Sequence, residues 1–222
     1  VIALSPASVQ EMFDLTVEAF NLAERFRSPV FLMADEIIGH MRERVIIPDH
    51  VPSNQRKPYE PGSLPFRAGE DLVPGFPAFG KGYGVHVTGL THDERGYPCA
   101  TSPKLHEDLV KRLVGKVEGA RGSITSCDIL NPDAEVVFVS YGAPSRTVQQ
   151  VLHDHPDDNI GHLRLKMVWP FAEMVLARFT NAEAFIVPEQ NLGQISREIE
   201  RHTDKDVVTV PKLGGELHSP GE

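Results

Sequence analysis

The feature that most constrains the fold is an alternation of short apolar runs with helical segments in the last part of the chain. Strands are predicted at residues 135–140, 163–168, 184–187 and 207–210, and helices at residues 144–153, 170–179 and 192–202. A strand, a helix and a second strand in succession favour parallel pairing through a crossover connection. Residues 131–222 are therefore predicted to form an α/β domain built on a parallel sheet.

The start of the chain follows the same pattern in a shorter form. It opens on an apolar run that predicts a strand already begun at Val1, from which we expect further residues upstream. Ser8 precedes Glu11 by three positions, the capping-box pattern of a helix start, and the helix is predicted to end near Phe26, before a Ser-Pro pair. The apolar run at residues 30–34 is typical of a strand covered on both faces.

Residues 48–103 differ from the rest because nine of the eighteen prolines lie there. The glycine-rich segment at residues 80–84 has neither the Gly-Lys-Ser/Thr ending of a phosphate loop nor a strong strand before it. We predict an extended connector over residues 48–130 that contacts a partner. It contains one predicted helix, residues 104–119, whose apolar face is formed by Leu105, Leu109, Leu113 and Val117.

Composition limits the classes of function. The net charge of -9 at pH 7 argues against a nucleic-acid binder, because acidic groups outnumber the cationic groups that would neutralise phosphates. No apolar run approaches the roughly 20 residues that cross a bilayer, so no membrane association is predicted. Cys99 and Cys127 are too few for an iron–sulfur cluster or a disulfide framework, and their scarcity favours a reducing, cytoplasmic compartment.

Three segments are predicted to lie where strands end. Asp35-Glu36, Tyr141-Gly142 and Glu189-Gln190-Asn191 each follow a predicted strand, and ligands of open parallel sheets gather at that edge. Adjacent carboxylates could exchange protons there if burial separates their pKa values, but an acidic loop or a helix cap is the favoured interpretation. Asn191 in particular is predicted to cap the last helix through its side chain.

Histidine-containing groups give no metal site. Two groups lie close together in the chain: His86, His92 and Asp93, and His153, Asp154 and His155. Neither has the ordered set of three or four ligands that a metal needs, so we interpret both as surface or loop side chains. The absence of a G-x-S-x-G segment argues against a serine hydrolase. No catalytic or metal-binding residue is assigned, and cofactor-binding residues are unknown.

Four segments resemble, in the same order, the alpha subunits of 2-oxoacid:ferredoxin oxidoreductases. The end of their pyrimidine-binding domain is similar to SVQEMFDLTVEAFNLAERFRSPVFLMADEIIGHMRERV, and their connector is similar to GLTHDERGYP. The start and end of their second domain, which has a transketolase C-terminal-like fold, are similar to VSYGAPSR and VPEQNLGQISREIER. The resemblance assigns residues 1–47 to the pyrimidine-binding domain, residues 48–130 to the connector and residues 131–222 to the second domain. The segment DEIIGHMRE is most similar to the 2-oxoglutarate type.

The resemblance implies a function that belongs to a complex. The family decarboxylates a 2-oxoacid on thiamine diphosphate, forms an acyl-CoA, and passes electrons through iron–sulfur clusters to ferredoxin. Thiamine diphosphate, magnesium and the clusters are expected on partner subunits, above all the beta subunit, with further small subunits as additional partners. The family's substrate-contacting segment, of the Y-P-I-T-P type, has no counterpart here, since Tyr97-Pro98-Cys99 lies in another context. No family residue is carried over, and the chain alone is expected to be inactive.

The sequence leaves three alternatives open. Within the family, the substrate could be pyruvate or 2-oxoisovalerate rather than 2-oxoglutarate. Outside it, the same α/β pattern would suit a non-enzymatic assembly or regulatory module with a flavodoxin-like domain. A flavin- or nucleotide-binding protein is the third alternative, and absorbance in the flavin region would distinguish its flavin form.

Overall fold

A computed structural model describes all 222 residues, which form two β-sheets with helices between the strands. No helix combines the length and apolar character that a membrane span requires. The elements follow one another in the order β1 (Ile2–Leu4), α1 (Val9–Phe26), β2 (Val30–Leu32), α2 (Glu36–His40), α3 (Pro103–Glu118), α4 (Arg121–Ile124), β3 (Cys127–Leu130), β4 (Val136–Ser140), α5 (Pro144–Asp154), β5 (Ile160–Leu165), β6 (Met167–Trp169), a 3-10 helix (Glu173–Arg178), β7 (Ala184–Glu189), α6 (Gln194–Glu200) and β8 (Asp206–Pro211).

The first sheet joins both ends of the chain. Its strand order is β2-β1-β6, with β1 parallel to β2 and antiparallel to β6. Helix α1 buries Leu15, Leu22 and Phe26 against this sheet. Phe20, which the sequence places among the apolar residues packing on the sheet, is instead 71% exposed. Phe20 lies two residues before Leu22, about 200° around the helix, so the two side chains face opposite sides.

The start of α1 is fastened to the second sheet. Ser8 Oγ accepts a hydrogen bond from Glu11 N at 3.1 Å, as the capping-box pattern predicts. The Glu11 carboxylate accepts from Ala7 N at 2.9 Å rather than from Ser8. It also accepts two bonds, of 2.8 and 2.6 Å, from the Arg164 guanidinium on β5, which pairs in turn with Asp128 on β3. The capping glutamate therefore also holds two sheets together.

The second sheet has five strands in the order β3-β5-β4-β7-β8. Strands β5, β4, β7 and β8 are parallel, as predicted, whereas β3 is antiparallel to β5 at one edge. The sequence does not predict strand β3, because it is short, carries an exposed aspartate, and falls within the predicted connector. Short, partly charged strands are typical of sheet edges.

The single strand predicted at residues 163–168 is wrong, because the chain changes sheets there. Strand β5 ends in the second sheet and β6 begins in the first, with Lys166 between them. Lys166 N and Met167 N both donate to Ser126 O at 3.0 Å, and Lys166 O accepts from Ser5 N at 2.8 Å. Apolar residues alternate with Arg164 and Lys166 on both sides of the break, a pattern that fits one continuous strand and therefore does not reveal the break.

The helix predicted at residues 170–179 is also wrong in type and length. The segment contains a 3-10 helix at Glu173–Arg178, in which Val175 N donates to Ala172 O at 3.0 Å. Phe171, Val175 and Phe179 are buried four residues apart, the spacing of one face of a helix. They pack with α6 on one face of the second sheet, in a core cluster of 17 buried residues. The periodicity reflects burial against the sheet, while the short β6–β7 connection takes a tighter helix.

The connector has no regular structure between α2 and α3. Residues 41–102 contain no helix or strand, in agreement with the proline content. The Arg27 side chain holds the connector on the first sheet: its guanidinium donates to Pro65 O at 2.7 Å and Gly75 O at 3.0 Å. It also lies 4.5 and 4.7 Å from the ring centroids of Phe66 and Phe76. Hydrogen bonds to carbonyl groups and contacts with aromatic rings thus take the place of a hydrophobic core in this segment.

Helix α3 contacts the rest of the molecule mainly through its last turn. Val117 is buried there, whereas Leu113, predicted on the same face, is 43% exposed. Lys116 is buried beside Val117 and donates from Nζ to Arg27 O at 2.8 Å. Because Arg27 is the C-cap of α1, Lys116 satisfies a carbonyl at the negative end of that helix.

Candidate functional site

The three segments predicted at strand ends meet in a cleft between the two sheets. Asp35 follows β2, Tyr141 follows β4, and Gln190 and Asn191 follow β7, and all four line a cavity of about 510 Å³. Trp169 of β6 forms another wall. The parallel strands place their carboxyl ends at one edge, which is why residues distant in sequence converge. That the cleft binds a ligand stays a prediction.

Asp35 fixes the backbone that follows β4. Its Oδ2 accepts a hydrogen bond from Ala143 N at 2.5 Å. Gly142 has a φ of +58°, and a Cβ at this position would lie 2.3 Å from Asp35 Oδ2. Both the conformation and the close approach therefore require glycine. Asp35 occupies the N-cap position of α2 without a side-chain capping bond, so helix capping does not account for its carboxylate.

Glu189 is completely buried and its carboxylate accepts four hydrogen bonds. The donors are Ile195 N at 3.0 Å, Ser196 N and Ser196 Oγ at 2.9 Å each, and Tyr141 Oη at 2.7 Å. Burial alone would raise the pKa of Glu189, but the two backbone N–H groups and the two hydroxyls outweigh it and lower the pKa. Glu189 stays ionised and fully bonded, which makes it an anchor for α6 rather than a proton donor.

Tyr141 and Asn191 complete this network. Tyr141 accepts a hydrogen bond from Asn191 Nδ2 at 2.8 Å, and the Asn191 Oδ1 accepts from Gly193 N and Gln194 N at 2.8 and 2.9 Å. Asn191 thus bonds to the first residue of α6 as predicted, but it lies two residues before the N-cap position, which Gly193 occupies without a side-chain capping bond. Burial, followed by the charge of Glu189, raises the pKa of Tyr141, so its hydroxyl remains protonated. These residues position one another and leave no activated group in the cleft.

The cleft does not fit a diphosphate. Its charged wall residues are Asp35 and Glu198, and no lysine or arginine lines it. Phosphate groups bind cationic side chains, helix N-termini or a metal held by carboxylates, and no group of three potential metal ligands is present. The thiamine diphosphate that the resemblance implies therefore finds no diphosphate site among these residues, and no chemical step is assigned to them.

A buried serine–histidine contact was missed by sequence reasoning. Ser140 Oγ lies 2.7 Å from His162 Nε2 and 3.0 Å from Ser145 Oγ, and all three residues are buried. Burial, and then the charge of Arg164, lowers the pKa of His162 to about 4, so the ring is neutral. None of the three lines the cleft, so no substrate reaches them there. The three residues connect β4, α5 and β5. The sequence signal available for this contact was the presence of polar residues inside apolar runs.

The remaining sequence candidates lie apart from the cleft. The His86 ring stacks on Tyr97 with centroids 5.2 Å apart, and His155 pairs with Asp158 at 3.1 Å. In the loop at residues 80–84 a Cβ on any of the glycines would meet no atom within 4 Å. Neither histidine group forms a set of three potential metal ligands, and the space around the glycines of the loop is open.

Two family models match the chain. One, described as pyruvate flavodoxin/ferredoxin oxidoreductase, thiamine-diphosphate-binding, matches residues 1–112. The other, described as pyruvate:ferredoxin oxidoreductase core domain II, matches residues 134–222. The second match coincides with the five-stranded sheet apart from β3.

Curated relatives match across the whole chain. The 2-oxoglutarate synthase subunit KorA of Methanocaldococcus jannaschii is 50% identical over all of this chain and 62% of its own length. The subunit of the same name from Methanothermobacter thermautotrophicus is 48% identical over 61% of its length. The ketoisovalerate oxidoreductase subunit VorB of Methanothermobacter marburgensis is 28% identical over 97% of this chain and 56% of its length. The chain thus spans about three fifths of the KorA relatives.

A solved structure has the same fold. The 2-oxoglutarate:ferredoxin oxidoreductase from Magnetococcus marinus, with 2-oxoglutarate, coenzyme A and succinyl-CoA bound, superposes with a TM-score of 0.86. It covers 99% of this chain and 40% of its own chain at 24% identity, which establishes the fold alone. The first family model alone covers half of the residues, and the chain therefore belongs to the thiamine-diphosphate-binding pyruvate flavodoxin/ferredoxin oxidoreductase family.

Proposed function

We propose that the chain is part of the alpha subunit of a 2-oxoglutarate:ferredoxin oxidoreductase. The complex would decarboxylate 2-oxoglutarate oxidatively, transfer the acyl group to CoA, and pass the electrons to ferredoxin. The observation that carries this proposal is a difference in identity among relatives. Identity is 46% to 50% with three 2-oxoglutarate synthase subunits and 34% with a fourth, 28% with two ketoisovalerate oxidoreductase subunits, and 24% with a 2-oxoglutarate oxidoreductase subunit.

Within that subunit, three parts have different roles. Residues 1–47 would belong to the pyrimidine-binding domain, residues 48–130 to a connector that contacts other subunits, and residues 131–222 to an architectural second domain. The irregular backbone of residues 41–102 supports the second assignment, and the five-stranded sheet supports the third. Strand β3 already pairs with that sheet before residue 131, so the connector and second domain overlap there.

The cofactors would lie on partner subunits in a cytoplasmic complex. Thiamine diphosphate, magnesium and an iron–sulfur cluster are assigned to the beta subunit, with further small subunits completing electron transfer to ferredoxin. The cleft supports this division because its charged wall residues are two carboxylates, which would repel a diphosphate. The chain would contribute structure and subunit contacts rather than a reacting group.

Substrate comparison on the assembled complex tests the proposal. The complete alpha chain with its partner subunits would be assayed with 2-oxoglutarate, pyruvate and 2-oxoisovalerate, using CoA and methyl viologen. We expect the highest kcat/KM for 2-oxoglutarate. A preference for either of the other oxoacids would assign the chain to that branch of the family.

A second experiment tests whether the cofactors lie on partner subunits. Residues 1–222 expressed alone are expected to reduce no viologen with any of the three oxoacids, and the full complex serves as the positive control. Retention of a co-expressed beta subunit by the complete alpha chain is expected. Activity of residues 1–222 by themselves would contradict the assignment of the cofactors to partners.

A further inference from the structure

A second cavity, distinct from the cleft, lies between helix α3 and the connector. Its volume is about 470 Å³, within the range of small-molecule sites. Phe66 and Leu72 of the connector form one wall, and Leu105, Leu109 and Arg112 of α3 form another. The cavity thus combines an apolar body with a cation at one end.

Arg112 differs from the other arginines that are at least partly buried. Those four each donate hydrogen bonds to a carbonyl or carboxylate: Arg27, Arg121, Arg146 and Arg164. Arg112 forms neither a hydrogen bond nor an ion pair, and burial lowers its pKa. Arg112 is half-buried at the cavity wall, so its unpaired guanidinium donors are available to an acceptor inside the cavity.

The surroundings of Arg112 add positive charge at the same end. Arg27 and Lys116 lie near Arg112. Burial lowers the pKa of Lys116 to about 8, and the charges of Arg112 and Arg27 add to this effect. The acidic residues of the cavity are already paired with other cations: Asp93 with Arg95, Glu94 with Arg67 and Asp108 with Lys104. The charge of Glu94 partly opposes the lowering of the Arg112 pKa, but Glu94 makes no ion pair with Arg112, whose donors therefore stay available to an anionic ligand.

A second polar atom at the cavity wall also lacks a partner. His92 lines the cavity, and its Nε2 is buried without a hydrogen bond, while Nδ1 lies 3.0 Å from Leu90 O. The His92 ring packs on Phe66 with centroids 4.3 Å apart, which fixes its orientation. One buried nitrogen without a hydrogen bond and one half-buried guanidinium without a partner therefore line the same cavity.

We propose that this cavity binds a small-molecule monocarboxylate, with its carboxylate on Arg112 and its apolar body against Phe66 and Leu105. The planar guanidinium matches a carboxylate through two parallel hydrogen bonds. A single negative charge fits better than a polyphosphate, because three carboxylates, although paired, also border the cavity. The site is independent of the inter-sheet cleft, since the two cavities share no residue.

A binding experiment on the assembled complex uses 4-phenylbutyrate as the probe. Saturation-transfer NMR titrations would compare the unaltered complex with Arg112→Gln and with a matched control, Arg178→Gln. Arg178 is exposed and outside both cavities. We expect Arg112→Gln to weaken binding about tenfold or more, the loss typical of a charged hydrogen-bonded pair, and the control to leave it unchanged. Equal affinities for all three would overturn the proposal.

A measurement without a variant keeps the proposal testable if Arg112→Gln does not fold. Phenylglyoxal modifies accessible arginines, and peptide mass spectrometry reports the rate at Arg112. We expect 4-phenylbutyrate to slow the reaction at Arg112, and the uncharged 4-phenylbutan-1-ol and inorganic phosphate to have little effect. Equal rates with the acid and the alcohol would contradict a carboxylate site. So would an Arg112 already covered by an acidic side chain of another subunit in the complex.

Discussion

The second sheet and the connector are held in place by different physical means. The sheet lies against a core of 17 buried residues, among them Phe185 and Leu163. The buried apolar side chains of residues 41–102 are Val73 and three prolines, Pro65, Pro74 and Pro77. The segment is attached to the rest of the chain through Arg27 and the Arg56–Glu24 ion pair. Burial drives folding of the first region, whereas a few polar contacts hold the second. We expect cooperative stability in the sheet and local opening in the connector.

The connector also differs in what it leaves on the surface. Ile46, Ile47, Phe79 and Leu90 are exposed by 68%, 70%, 74% and 59% respectively. Exposed apolar side chains in a long irregular segment are typical of contacts with another protein. The second sheet therefore folds around its own core, whereas the order of the connector depends on neighbouring proteins.

Truncating one phenylalanine in each region tests this difference most strongly. Phe185 is 1% exposed in the core, and Phe185→Ala is expected to lower the free energy of unfolding by about 4 kcal/mol through lost transfer energy and a cavity. The matched control, Phe79→Ala in the connector, is expected to change it by less than about 0.5 kcal/mol. Urea denaturation followed by circular dichroism measures both. Similar losses would mean that the connector shares the core's cooperativity.

The Arg164 ion pairs give the next largest effect, because they join α1 to the second sheet. The Arg164 side chain is 9% exposed, and that of its partner Glu11 is 16% exposed. Arg164→Met leaves the Glu11 carboxylate partly buried without its cation, so we expect a loss of about 3 kcal/mol. Arg178→Met, at an exposed position, is the control. A loss no larger than that of the control in urea denaturation would show that the Arg164 ion pairs do not stabilise the junction of α1 with the second sheet.

The sequence predicts most of the second sheet because β4, β7 and β8 are largely apolar runs that alternate with helices. It misses β3, whose residues alternate between half-buried and exposed, and it merges β5 with β6 because burial continues while the sheet changes. Pairing partners are properties of the tertiary structure, and local periodicity does not encode them.

The same limit applies to the candidate site: the places of its residues along the chain were predictable, and their long-range contacts were not. That Tyr141 and Glu189 lie at one edge was predictable, because β4 and β7 are neighbouring parallel strands. That Asp35 faces them was not, because β2 belongs to the other sheet. The bond from Ala143 N to Asp35 and the four donors on Glu189 were not, since they join residues up to 108 positions apart. The cavity beside Arg112 left no sequence signal, because an unpaired arginine is recognised only by the absence of contacts.

The pH dependence of stability should reside in the second sheet rather than in the connector. His162 is buried, and its folded pKa of about 4 lies below the ordinary value of 6.5. Between these values the unfolded chain binds the proton and the folded chain does not, so stability rises with pH and is lost as the pH falls from 6.5 to 4. We expect this group to account for a loss of about 2 kcal/mol.

The control is His162→Gln, which keeps a polar side chain beside Ser140 but cannot titrate in this range. Urea denaturation at pH 7, 5.5 and 4.5 would be compared between this variant and the unaltered chain. The unaltered chain should lose more stability over that interval. Parallel pH profiles would mean that His162 is not the source of the acid sensitivity.

The smallest effect on global stability should come from Arg27, although it is the main attachment of the connector. Arg27→Gln removes the bonds to Pro65 O and Gly75 O and the contacts with two aromatic rings. Because these contacts hold a locally opening segment, we expect a loss of about 1 kcal/mol confined to the connector. Hydrogen exchange should accelerate at residues 65–76 and stay unchanged in β4 and β7, with Arg44→Gln, at an exposed and unbonded position, as the control. Faster exchange in β4 or β7 as well would mean that the connector and the sheet open together, and the distinction between the two regions would not hold.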